Sequence, residues 1–299
     1  MDTETALPPK ETYPLPVPRV RWPGIIFFAV IHLVGIIGAP LYAWKFGITT
    51  AEALIFLIYT GLSGMAITMG YHRLFAHATF KTGPVIRFLL LYFGASTFEQ
   101  SALKWASQHR QHHAFVDTER DPYTIQKGFW YAHINWIIFF KHKVNYESVN
   151  DLKKCPITVH QHRYEPAWAV TTGILIPILL GFMIGRPLGG FVLTVCLRLV
   201  IVMNSAFFIN SFAHTFGSRP YDKTISARDH WIGAILTNGE GYHNFHHRFP
   251  ADYRNGCEWH HWDPSKWLIF ALSKVGLTWD LRRTPRDRIE HARRIAAAS

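Results

Sequence analysis

Leu188–His214 reads LGGFVLTVCLRLVIVMNSAFFINSFAH. Its first 23 residues, Leu188–Asn210, carry one formal charge, Arg198. A hydrocarbon core ~30 Å thick is crossed by about 20 helical residues, so this run can span a membrane. The stretch then ends on Asn210 and His214, polar side chains one helical turn apart. A membrane-length apolar run that leads directly into side chains of this kind sets the fold class and shows where to look for chemistry.

Three further windows match it. Gly24–Ala43 and Ala167–Gly185 have no formal charge, and Ala51–Gly70 has only Glu52, near its edge. Turns near Trp44–Thr50 and Arg186–Pro187 join the four windows into two hairpins. Pro84–Phe98 is apolar but short and contains Arg87, so it reads as an interfacial or buried helix and not as a fifth span. The composition agrees: 49% of the 299 residues are hydrophobic and 17% charged, against the ~25% charged of soluble domains. A disordered chain is excluded, and an ordinary soluble enzyme is disfavoured. The net charge of +11 would suit nucleic acid or a membrane surface; the apolar windows choose the membrane. Cys155, Cys196 and Cys257 are too far apart for a disulfide framework or a CxxC metal site.

Lys and Arg give the orientation. The hairpin turns hold only Lys45 and Arg186, whereas 28 of the 31 basic residues lie in the tail and in 71–166 and 211–299. By the positive-inside rule that side is cytoplasmic. The expected organisation is an N-terminal cytoplasmic arm (1–23), a membrane domain (24–280) with spans at about 24–43, 51–70, 167–185 and 188–210, a cap from 71–166 and 211–280, and a basic tail (281–299). The first span follows a polar, Pro-rich start with no small-residue cleavage site, so a signal peptide is not expected.

Histidine is over-represented, at 18 residues. His72 and His77 follow the second window in GYHRLFAH; His109, His112 and His113 lie in SQHRQHH; His243, His246 and His247 lie in GYHNFHH; His214 ends NSFAH. Positions i, i+3 and i+4 share a helix face, so each HxxHH string presents three imidazoles together. His72 and His77, five apart, diverge by roughly 140° on an α-helix and suit two different metals better than one. Imidazole binds Fe, Zn, Cu and Ni. Nine such ligands exceed the four to six of one ion, and two metals are the economical count. The fold expected is therefore an all-α integral membrane protein: four transmembrane helices in two hairpins, and a cytoplasmic helical cap holding a dimetal site. The remaining histidines, His260 and His261 included, read as structural.

HRLFAH, HRQHH and HNFHH resemble the HxxxxH, HxxHH and HxxHH boxes of membrane fatty acyl desaturases. DPYTIQKGFWYAHINWI, NSFAHTFGSRPYDK and NGEGYHNFHHRFPADYRNG narrow the resemblance to the stearoyl-CoA (Δ9) branch, in order, from about Gly61 to Asp280. The resemblance implies two iron ions held by His72, His77, His109, His112, His113, His214, His243, His246 and His247, with Asn210 acting through water. It implies O₂ as co-substrate and a cis double bond placed in a saturated long-chain acyl group. A mid-chain methylene has no acidity to exploit, so no side chain need act as a general base and no catalytic residue is expected beyond the ligands. Glu240, Asp117, Glu119 and Asp121 are candidates to orient ligand imidazoles through their second nitrogen, or else to pair with Arg73, Arg110 or Arg248. No nucleotide motif or clustered cysteine supplies electrons. A separate donor is expected, cytochrome b5 or a ferredoxin with its reductase, and no nucleic acid.

The branch usually carries an Arg–Asp pair before the first histidine of box two; here Ser107 and Gln108 stand there, while Trp105 and a basic pair at Lys141 and Lys143 are kept. The carrier is thus CoA by a narrow margin, with phospholipid or acyl-carrier protein as alternatives. The membrane is bacterial inner membrane or endoplasmic reticulum, with lipids as neighbours. Thr60, Gly61 and Gly64, on the helix leading to His72, either wall an acyl tunnel or pack helices closely. The six arginines between Arg282 and Arg294 either dock an acidic donor or anionic lipid, or are simply solvated. A same-fold hydroxylase or alkane-type monooxygenase is the main alternative. A metal transporter or scaffold fits less well, because its ligands should lie near the midplane.

Overall fold

The structure is a computed structural model and describes residues 15–298; most of the N-terminal arm, including Lys10, and Ser299 lie outside the described residues. The chain is helical apart from two pairs of two-residue strands, Val17–Pro18 with Phe140–Lys141 and Lys81–Thr82 with Thr278–Trp279. Among the described residues, four helices are long and apolar enough to cross a membrane: Trp22–Phe46, Thr50–Ala76, Glu165–Met183 and Pro187–His214. The chain is thus a membrane protein with these four as its candidate spans, called spans below. The second and fourth run past their apolar windows and carry His72 and His214 at their ends. Pro84–Ala95 forms a 12-residue helix, too short for a fifth span.

The two hairpin turns are tied together at the end of the bundle remote from the histidines. Gly47 (φ 67°) and Gly185 (φ 71°) take the left-handed conformation that closes each turn. Thr49 and Glu52 make reciprocal cap bonds at the start of the second span. Glu52, 3% exposed, also accepts from the Tyr42 hydroxyl at 2.5 Å and pairs with Arg186 Nε at 3.2 Å. A side chain at Gly189 would collide with the Glu52 carboxyl, so the fourth span needs glycine where it passes.

Arg198 sits in mid-span without exposure, where an unpaired charge is costly. Its guanidinium spends its donors on neutral oxygens: Thr194 O at 2.7 Å, Ser96 O and Gly173 O at 3.0 Å, Ser63 Oγ at 3.1 Å. It also lies 5.2 Å from the Tyr59 ring centroid. One side chain thereby joins the second, third and fourth spans to the loop after Pro84–Ala95.

The cap is built on Ala102–Phe115, His243–Arg248, Pro264–Lys274 and Arg286–Ala298. The last of these is not simply solvated. Ile289, Ala292 and Ala296 are buried, and Arg293 donates to the Tyr221 hydroxyl at 2.7 Å and pairs with Glu258 at 3.3 Å.

Candidate metal centre

Nine histidines converge in the cap, in two groups. His72, His77, His109, His113 and His246 form one; His112, His214, His243 and His247 form the other; in each, the ligand atoms lie within 4.8 Å of one another. The two HxxHH helices interleave them. His109 and His113 of one join His246 of the other, while His112 joins His243 and His247. Each i, i+3, i+4 face therefore straddles both groups.

The expected divergence of His72 and His77 is wrong: they share the five-membered group. The reason is local. Ala66–Ala76 winds with wide turns bonded over five residues, and the His77 amide donates to the His72 carbonyl at 3.1 Å. In that geometry, frequent at functional sites, positions five apart come back into register.

Ring orientation argues that the groups fit metal. In the first, the Nε2–Nε2 distances are 2.8 Å (His77–His109), 2.9 Å (His72–His246 and His113–His246) and 3.1 Å (His109–His113). In the second, His112–His247, His214–His243 and His243–His247 are each 3.1 Å. On three of the rings the opposite nitrogen faces a proton acceptor. His72 Nδ1 lies 2.7 Å from Glu240 Oε2, and His112 Nδ1 lies 2.9 Å from Asp121 Oδ1. His214 Nδ1 lies 2.7 Å from Ser226 Oγ, which in turn donates to Asp117. An imidazole whose Nδ1–H donates outward has a bare lone pair at Nε2. Lone pairs pointed at one another at hydrogen-bond distance repel unless a cation lies among them. Burial and neighbouring imidazoles hold His77, His109, His113, His243, His246 and His247 well below the ordinary histidine value, which keeps them neutral and ready to ligate.

The supporting carboxylates are themselves anchored. Glu240 also pairs with Arg73 at 2.7 Å, and Arg73 reaches Asp263 at 3.0 Å, all three nearly fully buried. Burial pushes the Glu240 carboxyl up, but Arg73 and His72 outweigh it and hold it below its usual value. Of the four acids singled out in the sequence, Glu240 and Asp121 touch histidines of the two groups, Asp117 reaches His214 through Ser226, and Glu119 is exposed. Ser226 and Tyr123, whose hydroxyl lies 3.2 Å from His109 Nδ1, carried no sequence signal.

Three cavities form a continuous series past the histidines. A mouth of 470 Å³ is lined by Arg19, Arg21, Lys104, Lys141 and His142. It shares Gln108, Trp136 and Ile137 with a narrow neck of 70 Å³ walled by His72, His109, Trp105, Tyr123 and Asn210. The neck shares Ile67, Thr68, Ala206 and Ile209 with an end pocket of 320 Å³ between the second and fourth spans, where Thr60, Gly61 and Gly64 lie. Thus Trp105, Gln108, Lys141, Thr60 and Gly64 all line this series. Ser107 does not: it has no exposure, and its hydroxyl donates to the Asn145 carbonyl at 2.7 Å. Its place one residue round the helix from Gln108 turns it toward the cap interior.

A family model described as fatty acid desaturase matches residues 49–274. The chain is 40% identical over 268 residues to a protein of Schizosaccharomyces pombe named "Probable acyl-CoA desaturase", covering 87% of this chain and 56% of that one. It is 36% identical to acyl-CoA desaturase 1 of Saccharomyces cerevisiae (88% and 53% covered) and 33% identical to stearoyl-CoA desaturase of Sus scrofa (92% and 78% covered). The chain thus spans about half the length of the two yeast relatives.

Proposed function

The chain belongs to the fatty acid desaturase family, and on that footing we propose that it is an O₂-dependent diiron desaturase. It inserts a cis double bond, at the Δ9 position, into a saturated long-chain acyl group carried on CoA. One observation supports this above the others: nine inward Nε2 atoms gather beside a neck, itself lined by His72 and His109, that joins a basic mouth to an apolar pocket between the second and fourth spans. Two irons, held by the five- and four-histidine groups with Asn210 acting through water, would supply the O₂-dependent redox chemistry that an unactivated C–H bond requires.

The chain's own residues do the rest. Arg19, Arg21, Lys104 and Lys141 give the mouth a positive field suited to the phosphates of a carrier. Trp105 packs against the His109 ring, with centroids 4.8 Å apart and planes 23° apart, and so forms one wall of the neck beside a ligand. The narrow neck keeps water from the reacting carbons. The distance from mouth to neck then selects the carbon attacked, while the end pocket measures what remains of the chain. With Ser107 turned away, the carrier is recognised through Gln108 and the basic mouth. Electrons come from a separate donor, cytochrome b5 or a ferredoxin with its reductase. The cap faces the cytoplasm from a bacterial inner membrane or endoplasmic reticulum.

Expression in a desaturase-deficient host, with double bonds mapped in its lipids, tests the activity; hydroxylated products in place of olefins overturn it. Chain length is tested at Gly61. A Cβ at Gly61 meets nothing within 4 Å, whereas one at Gly64 meets Asn238 Nδ2 at 2.7 Å. Gly61→Leu can therefore fill the end pocket without displacing a neighbour. It should lower the C18-to-C16 rate ratio about tenfold and leave the double bond where it was, since one to two buried methylenes are worth about that much discrimination. Equal loss on both lengths would mean that the glycine serves helix packing.

A further inference from the structure

Between the helices Pro84–Ala95 and Ala102–Phe115 the chain reads TFEQS, Thr97–Ser101. Phe98 (φ 60°) and Gln100 (φ 72°) both take left-handed backbone. Two side-chain-bearing residues in that region, on either side of a third, mark strain that the surroundings enforce, and such strain gathers at functional sites. The residue between them is Glu99, which lines the neck together with His72, His109 and Asn210. Its Oε2 accepts from Trp105 Nε1 at 3.3 Å, and Trp105 stacks on His109. Its Oε1 is enclosed and has no hydrogen-bond partner among the described residues. No ion pair to Glu99 occurs among the described residues either. Burial pushes its carboxyl up to about 8, against the smaller opposing effect of the Trp105 bond. Burial thus favours the protonated, carboxylic acid form of Glu99. Because Oε2 accepts from Trp105, the acid proton is assigned to Oε1, the enclosed and unpartnered oxygen.

The proposed reaction needs such a proton. Its balance is saturated acyl chain + O₂ + 2 e⁻ + 2 H⁺ → unsaturated acyl chain + 2 H₂O. The substrate yields two hydrogen atoms, the external donor two electrons, and two protons must arrive from solvent. We propose that Glu99 is the proton donor of this site, passing the Oε1 proton to oxygen as O₂ is reduced to water in the neck. The carboxyl O–H bond breaks, an O–H bond of product water forms, and the carboxylate regains its proton from the mouth before the second delivery. Gln100 Nε2 donates to Gln108 Oε1 at 3.2 Å, and Gln108 borders both neck and mouth, which gives that return a polar path. The proposal rests on the desaturase reading.

The other titratable groups that line this space are His72, His109, Tyr123 and Glu240, and Tyr71 of the second span and Glu165 of the third lie near enough to interact with one another, Tyr71 with Glu99 as well. Glu240 is tied to Arg73. Tyr123 is held well above its usual value by burial and by Asp121. Neither holds a proton that it can release near neutral pH.

The test uses the purified full chain as wild type, Glu99→Gln and Glu99→Asp. Infrared titration of metal-free protein should show a protonated carboxylic C=O stretch in wild type that fades as pH rises through about 8 and is missing from Glu99→Gln. With stearoyl-CoA and a reconstituted donor, Glu99→Gln should lose about 100-fold in kcat, the usual worth of a placed general acid, with stearoyl-CoA affinity within about twofold. Wild-type kcat should fall about tenfold per pH unit above 8, and the residual Glu99→Gln rate should be flat there. Glu99→Asp keeps a transferable proton on a shorter arm and should retain intermediate kcat; it serves if the glutamine variant fails to fold. A wild-type carboxyl that titrates in the ordinary range, or Glu99→Gln with wild-type kcat and pH profile, overturns the proposal alone. A wild type that desaturates no acyl substrate overturns the functional reading and this one with it.

Discussion

The two histidine groups share two HxxHH helices and one residue type, yet the group of five adds His72 and His77 from the end of the second span and the group of four adds His214 from the end of the fourth, and they differ in count and in support. The group of five is backed by Glu240, which is fixed by Arg73 and through it by Asp263. The group of four is backed by Asp121 and by a Ser226–Asp117 pair, and it has Asn210 one helical turn from its member His214. An ion of five or six positions is nearly closed by five imidazoles, whereas four leave room for water or a small ligand. On the proposed reading the asymmetry gives one nearly closed metal position and one more open one, although the boxes look equivalent in sequence.

The comparison breaks most sharply at the ligands. On the proposed reading, His246→Ala from the group of five and His243→Ala from the group of four should each lower desaturation more than about 1,000-fold. Bound metal should fall from about two to about one per chain, measured by elemental analysis. Loss of both metals from either variant would mean that the groups are not separable. Membrane insertion should survive, because it depends on hydropathy.

Acid should act on both groups together. In the folded chain His77, His109, His113, His243, His246 and His247 are held below the ordinary value, about 6.5. The unfolded chain therefore binds more protons than the folded one once pH drops below about 6.5, so stability is complete above that pH and declines below it. Metal content and thermal midpoint should fall in parallel from pH 6.5 downward. The decline in bound metal should exceed tenfold per pH unit, because several imidazoles protonate. A midpoint that is flat between pH 7 and 5 would contradict this.

A finer contrast lies in the supporting carboxylates. Glu240→Gln and Asp121→Asn should each weaken metal binding by about 10–100-fold, the usual effect of losing a carboxylate behind a ligating imidazole. Glu240→Gln should be the worse, since it also strips one of the two carboxylates from buried Arg73. Each substitution should empty chiefly its own group, and metal titration of the two variants checks that. Asn210→Ala should have the smallest effect, about tenfold on rate with metal content unchanged, because water can persist at the open position. Metal loss in that variant would make Asn210 a direct ligand.

The spans were legible because hydropathy is summed over local sequence: four windows predict four helices, and a charge such as Glu52 or Arg198 does not spoil a 20-residue total. The ligand types were equally legible, since HxxHH spacing places imidazoles on one face whatever the helix later meets. What could not be read was the grouping. His72 and His77 share a group only because Ala66–Ala76 winds in wide turns, a departure from α-geometry that residue spacing does not reveal. The division of each HxxHH face between two groups depends on how Ala102–Phe115 meets His243–Arg248, segments more than 120 residues apart in the chain. Ser107 and Gln108 are neighbours, yet one faces the cap interior and the other the neck, which only the seating of the helix decides. Glu99 reads as an unremarkable loop acid until two strained neighbours and an enclosed neck turn it inward. Residue type and local period determine which side chains can do the chemistry. Contacts between distant segments determine which of them meet, and what stands behind each one.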